Sequence, residues 1–209
     1  MIRRDLRTLS RRDAYRVLSS LVIPRPIAWV ATLGEAGQVN LAPFSSFMGI
    51  FDPPALALNL SHRADGSLKD TQANLRTRRE AVVHVVDLPF LEALHATGED
   101  VPAGVSELER LGLATVPSDL VAVPRLADAP VALECRLRQE VALVPTSDLI
   151  FLDVLMVHAQ ERIWDTTLDC ARGDRWEPLA RLIGGGVDAP NYAGLGRRFS
   201  LGKPKLPEQ

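Results

Sequence analysis

Apolar and polar positions change period several times along the chain, and each change predicts an element. Tyr15, Leu18 and Leu21 fall on helical spacing over residues 13–21, which predicts a short packing helix ending near Pro24. Residues 27–33, 38–41, 45–51 and 55–60 are short apolar or alternating runs broken by Gly, Pro or Asp, and they predict antiparallel strands. Gly34-Glu35-Ala36-Gly37 supplies turn residues between the first two runs, which therefore read as a hairpin. A helix is expected over 67–75, where Leu68 and Leu75 are separated by polar residues. Residues 80–86 return to strand composition, and 89–96 and 106–111 read as short helices around a loop at 98–104. Two long strand candidates, 131–144 and 148–163, can pair through Pro145-Thr146-Ser147. From Pro178 onward the chain is rich in loop residues, with Gly184-Gly185-Gly186 and Asn191-Tyr192 before a polar tail whose tip is expected to be disordered.

Strands concentrated early and late, with helices between them and no regular β-α alternation, disfavour a doubly wound fold and favour a closed or partly open barrel. No repeat or dividing linker is visible, so one domain over 13–196 is expected, preceded by a basic arm (1–12) and followed by a polar tail (197–209). The chain has neither Gly-x-Gly-x-x-Gly after a strand nor Gly-Lys-Ser/Thr. A nucleotide-like cofactor would have to be held in another way.

Composition narrows the class. With 209 residues, 46% of them hydrophobic and 24% charged, the chain can bury a core without disulfide or metal support. A net charge of -2 gives no electrostatic reason to expect nucleic acid. The arginines at 3, 4, 7, 11, 12 and 16 are diluted by Asp5 and Asp13 and read as a solvated arm or helix face. No apolar run approaches the ~20 residues of a membrane span, and the arginine-rich start lacks the apolar core of a secretory signal, so a cytoplasmic protein with no membrane partner is expected. Cys135 and Cys170 lie far apart and read as free thiols, and His62, His84 and His95 share no ligand spacing, so no metal is expected.

Several segments carry candidate chemistry. Ser67-x-x-Asp70 has the form of a capping box opening a helix, whose free N–H groups suit a phosphate, with Lys69 and Thr71 in the first turn. The same residues can serve only as a cap beside a solvated lysine. Ala42-Pro43-Phe44-Ser45-Ser46-Phe47 combines apolar bulk with two hydroxyls; it suits a flat ring with a polar chain, or an edge strand with a wet serine face. Asn40 can contact a ligand or fix the adjacent turn. Arg25 is held extended between two prolines, where it can meet an anionic or oxygen-rich ligand or a plain salt-bridge partner. Trp29 reads as core. His158, read as sharing one strand face with Met156, Val154, Leu152 and Ile150, is either a satisfied barrel-end histidine or a ligand donor.

The run from Pro24-Arg25-Pro26-Ile27-Ala28-Trp29 through Asn40-Leu41-Ala42-Pro43-Phe44-Ser45-Ser46-Phe47 to Asp52-Pro53-Pro54, followed by Lys69-Asp70-Thr71, resembles the flavin reductase-like family. That resemblance extends from about Tyr15 to Tyr192. It implies a mainly β fold, an antiparallel FMN-binding split β-barrel of Greek-key type with a few short helices, acting as a homodimer. It also implies FMN contacts from Arg25, Asn40, Ser45, Ser46, Phe47, Ser61, Lys69, Thr71, His158 and Tyr192, with Lys69-Asp70-Thr71 at the phosphate. The activity implied is hydride transfer from NADH or NADPH to FMN, the flavin supplying the reactivity so that no protein nucleophile or base is needed. A monooxygenase or another electron-acceptor protein would use the product. The alternative is a non-catalytic FMN carrier or electron-transfer flavoprotein acting with a protein partner.

Overall fold

In the computed structural model, which describes residues 1–98, 106–182 and 191–199, seven strands form the main antiparallel sheet. They are β1 (Ala28–Leu33), β2 (Val39–Phe44), β3 (Phe47–Phe51), β4 (Pro54–Ser61), β5 (Glu80–Val85), β6 (Val131–Val144) and β7 (Ser147–Ala159), in the spatial order β2-β1-β5-β6-β7-β4-β3. The two edge strands, β2 and β3, follow one another in sequence through Ser45 and Ser46, and the Asn59 N–H donates to the Ser46 carbonyl at 2.9 Å. The chain therefore turns a corner between the edges. The result is the split barrel that the resemblance implies, mostly antiparallel β with a few short helices.

The β1–β2 hairpin forms as expected, with Leu33 opposite Val39 and Gly37 at φ +89°, a conformation that an L side chain adopts only with strain. β6 and β7 pair across Pro145-Thr146. Both faces of the sheet are covered, which explains why β1 reads as a continuous apolar run rather than an alternating one. Inside the barrel, Val30, Leu58, Val83, Cys135 and Ile150 pack together, and Leu75 of α2 (Asp70–Arg78) joins them. On the outer face, Trp29, Leu41, Val82 and Ala132 are covered by Leu94 of α3 (Leu91–Ala96), Leu108 of α4 (Glu107–Leu111), and Val123. His84 is fully buried on β5: its Nδ1 lies 3.1 Å from the Trp29 carbonyl, and its Nε2 accepts the Leu126 N–H at 3.0 Å.

Four expectations need correction. The N-terminal helix, α1 (Arg11–Leu21), forms with Ser10 as its cap, yet Tyr15, Leu18 and Leu21 are 61%, 54% and 73% exposed rather than packed. Second, β7 ends at Ala159 and the chain continues in a 3-10 turn at Glu161–Ile163. Third, Ser67 does not cap α2: the helix starts at Asp70, Lys69 occupies the cap position with no side-chain bond, and the Ser67 N–H donates to Asp65 Oδ1 at 2.9 Å. The capping box is out of register, because Asp70 sits at the first helical position rather than the third. Fourth, His158 leaves the face of Ile150, Leu152 and Val154. A bulge in β7 makes Val154 pair with Cys135 but Met156 with Glu134, so the alternation slips and His158 joins the Ala132–Glu134 side of the sheet.

The basic arm is a solvent-exposed lead-in to α1 with a 3-10 turn at Leu6–Thr8, its Arg7 paired to Asp5 at 2.7 Å. The triple glycine, most of the polar tail and the loop beyond Gly98 lie outside the described residues.

Candidate functional site

A continuous groove runs along β2 and the corner that follows it, in three stretches that share residues. The first holds Asn40, Arg63, Lys69, Thr71 and Glu107; Pro43 and Gly98 carry it into the second, with Ile27, His95, Arg181 and Tyr192; Ser45 links that to the third, with Arg25, Ser46, Phe47 and Ser61. Of the residues singled out from sequence, all but His158 line this groove.

The first stretch is built by the turn between β4 and α2. Arg63 closes that turn, its N–H donating to the Ser67 carbonyl at 2.9 Å, and its Nη2 lies 3.1 Å from Asp70 Oδ2. Gln72 and Ala73 both donate their N–H to the Lys69 carbonyl at 3.0 Å, while no side chain caps the start of the helix. The Asp70 and Thr71 N–H groups precede the helical hydrogen bonds, and the positive end of the helix dipole is left open beside two cations. Among the described residues no carboxylate lies within ion-pair distance of Lys69. Uncapped N–H groups, a free ammonium and a guanidinium make this end a fitting cradle for a phosphate.

Thr71 is buried, and its Oγ1 accepts from Asn40 Nδ2 at 2.9 Å; the same Nδ2 lies 3.3 Å from Thr32 Oγ1. Asn40 therefore ties β2 to α2 as well as lining the groove. Glu107 is a buried carboxylate accepting the Leu41 N–H at 3.0 Å; burial pushes its pKa above the usual value, and nearby Asp70 adds to the rise.

A second polar layer braces α2 from behind. His62 Nε2 lies 2.6 Å from Asp148 Oδ2, and Gln72 also donates to Asp148. Arg76 meets Glu140 through both Nε and Nη2. Burial alone would raise the Asp148 pKa, but the hydrogen bonds from His62 and Gln72 and the charge of Arg76 leave it below the usual carboxylate range.

The other two stretches depend on a small three-stranded sheet, in which Arg25–Pro26 pairs with Ala180–Arg181 and Arg181 with Tyr192. Arg25 reaches Ser45 Oγ at 3.5 Å and donates to the Ser19 carbonyl at 2.5 Å. Tyr192 lines the middle stretch, its hydroxyl 3.0 Å from His95 Nδ1. Apolar Ile27, Pro43 and Leu94 flank hydroxyl-bearing Ser45, which suits a flat ring with a polar substituent chain.

His158 lies elsewhere, its Nε2 2.6 Å from Glu134 Oε1. Asp119, Glu134 and His158 come within reach of a common point, but both Glu134 oxygens are already used by the Asp119 and Leu120 N–H groups at 2.8 and 2.6 Å. Burial favours the neutral form of Glu134; those donors and His158 overcome it and hold its pKa below the usual value. This cluster braces the segment before β6.

Sequence reasoning missed Arg63, Glu107, His95 and Arg181. Arg63 carried a readable signal: it stands just past a strand end, across an Asp65-Gly66-Ser67 turn from Lys69. Arg181 had none, because its place is set by pairing with residues far away in sequence.

Comparisons with known proteins agree with the fold. The model of the flavin reductase-like domain matches residues 19–175. Uncharacterized protein YwrF of Bacillus subtilis is 37% identical over 94% of this chain and 96% of its own. An uncharacterized Aquifex aeolicus protein is 38% identical over 81% of this chain and 86% of its own. Among solved structures, nitrilotriacetate monooxygenase component B from Bacillus cereus superposes with a TM-score of 0.88 at 29% identity, covering 96% of this chain and 98% of that one. The 2-nitrobenzoate 2-nitroreductase NbaA of Pseudomonas fluorescens superposes at 0.87 with 31% identity over 99% of both chains.

Proposed function

This chain belongs to the flavin reductase-like family, and on that premise we propose that it binds FMN along the groove and takes hydride from NADH or NADPH as an NAD(P)H:flavin oxidoreductase. One observation carries the reading: Arg63 and Lys69 stand beside the uncapped start of α2, at one end of a groove that continues past apolar Ile27, Pro43 and Phe47 and the hydroxyls of Ser45 and Ser46. In this reading Lys69, Arg63 and the first N–H groups of α2 hold the phosphate. Ser45 and Ser46 meet the ribityl hydroxyls, and Pro43 and Phe47 exclude water from the ring. FMN would supply the hydride-accepting ring atom, so none of the chain's residues is assigned as nucleophile or base.

A homodimer belongs to the same proposal. The apolar side of α1 is open to solvent, Phe51 is 91% exposed, and a nearly wholly apolar groove runs past Phe47, Val131, Val157, Trp164 and Trp176. Likeness to component B of a monooxygenase supports a partner enzyme that consumes reduced flavin. No helix among the described residues is long and apolar enough to cross a membrane; we place the protein in the cytoplasm.

The test is an absorbance spectrum in the flavin region before and after anaerobic NADH or NADPH, with FMN titrations of wild type and Lys69→Ala. A flavin band that bleaches supports the reductase, and a bound flavin that ignores both donors supports the electron-transfer alternative. Losing a charge-assisted phosphate contact costs about 1.5–3 kcal/mol, so Lys69→Ala should weaken FMN by roughly 10- to 150-fold. Unchanged affinity would remove Lys69 from the phosphate site.

A further inference from the structure

Two carboxylates face the cavity at the phosphate end of the groove, and they are not equivalent. Asp70 is paired to Arg63 at 3.1 Å, its side chain 28% exposed. Glu107 is only 6% exposed, accepts the Leu41 N–H through Oε2, and forms no ion pair among the described residues. It lines the cavity from α4, whereas Arg63, Lys69 and Thr71 line it from α2 and the turn before it. The cavity holds about 60 Å³, room for one small oxyanion when a single water needs ~10–15 Å³. An anion seated there against Lys69 therefore meets Glu107 as well.

The charges do not balance for a dianion. Among the residues lining the cavity, Arg63 and Lys69 contribute two positive charges, and Asp70 and an ionised Glu107 cancel both. A phosphate dianion would then rest on the open N–H groups of α2 alone, next to a buried like charge. One shared proton removes the conflict: it makes the carboxyl and the phosphate donor and acceptor, whereas two ionised groups are acceptors only and repel. Glu107 is the group placed to take that proton. Burial favours its neutral form against the Leu41 N–H and its own N–H; Asp70 adds to the effect of burial, and Arg110 on α4 opposes it.

We propose that Glu107 selects the anion bound at the start of α2: it shares one proton with the ligand, so the cavity accepts a phosphate group together with a proton and disfavours a sulfate, which brings none. Oε2 keeps the Leu41 N–H, which leaves Oε1 for the ligand. A site built around one hydrogen bond discriminates strongly against an analogue that cannot complete it. That the phosphate is FMN's rests on the function proposed above; the anion preference does not.

Calorimetric titrations with FMN and with riboflavin, which lacks the phosphate, test the assignment through the ratio of the two affinities. A phosphate monoester loses its second proton at about pH 6, so FMN is a dianion above neutrality. A site that must take up one proton with it loses about tenfold in that ratio per pH unit. The wild-type ratio should fall in this way from pH 7 to pH 8. Glu107→Gln, whose amide donates without ionising, should hold the ratio level and exceed the wild type at pH 8 by roughly tenfold. Lys69→Ala should lower the ratio at both pH values and leave the slope unchanged. Inorganic phosphate and sulfate pose the same question without a flavin: at pH 8 the wild type should bind phosphate at least tenfold more tightly than sulfate, and Glu107→Gln should erase the preference. A wild-type ratio that stays level or rises with pH, a Glu107→Gln ratio that falls as steeply as the wild type's, or equal binding of phosphate and sulfate by the wild type overturns the proposal. If neither flavin binds, the flavin reading fails and the phosphate-to-sulfate ratio decides for Glu107. If Glu107→Gln does not fold, the wild-type pH profile decides.

Discussion

His84 makes the protein's stability depend on pH below the ordinary histidine value. It sits fully buried on β5, accepting the Leu126 N–H through Nε2, which assigns its single ring proton to Nδ1 facing the Trp29 carbonyl. Burial is the main force on it, and the charge of Arg125 acts in the same direction, lowering its pKa from 6.5 to about 4 against the weaker pull of the Trp29 carbonyl. A histidine held neutral in the fold stabilises it fully above the unfolded pKa, and the contribution is lost as pH falls from 6.5 towards 4. Within that window the unfolded chain binds one more proton, so stability falls by about 1.4 kcal/mol per pH unit. Between pH 7 and pH 5 the loss comes to about 2 kcal/mol, approaching about 3 kcal/mol near pH 4. The assay is urea unfolding at several pH values between 7 and 5 for wild type and His84→Gln, whose amide can donate and accept but cannot ionise. Groups common to both proteins cancel in the comparison. The wild type should lose about 2 kcal/mol more than the variant over this range; parallel profiles would refute a buried neutral His84.

Three further outcomes follow from packing and charge. Leu21→Arg, on the open face of α1, should shift light-scattering mass from twice the 22.9 kDa chain to one chain with little change in secondary structure; an unchanged dimer would place the interface elsewhere. Asp148→Asn removes the acceptor shared by His62 and Gln72 and should cost about 1–3 kcal/mol in urea unfolding. Because the Asp148 pKa is depressed, its contribution is present above the usual value of 3.8 and fades as pH drops below it, so the variant should also show a flatter acid limb. Burial pushes the Cys135 thiol up to about 12, whereas Cys170 is exposed, so a thiol reagent should label one cysteine per native chain and two after denaturation.

Much of this molecule was legible before any coordinates. The β1–β2 hairpin follows from Gly37 and its neighbours, and the β6–β7 hairpin from two long apolar runs with a short turn, because turn chemistry and strand composition act over a few residues. The groove's predicted wall, from Asn40 to Phe47, was readable for the same reason: one contiguous segment supplies it. Errors arose where a local pattern met a longer-range constraint. Ser67-x-x-Asp70 looks like a cap, but Arg63 and Asp65 claim the turn and move the helix start to Asp70. His158 alternates correctly on paper, yet pairing with β6 forces a bulge that turns it away from the face of Ile150.

Local sequence thus determined the elements, the turn glycines and the family, since these depend on residues near one another in the chain. Tertiary structure alone decided that Arg181 joins the groove beside the residues legible in the sequence. It reaches it, with Tyr192, through a three-stranded ribbon whose partners lie as far apart as Arg25 and Arg181. Such pairings are selected by the register and burial of the whole barrel, and no local spacing encodes them.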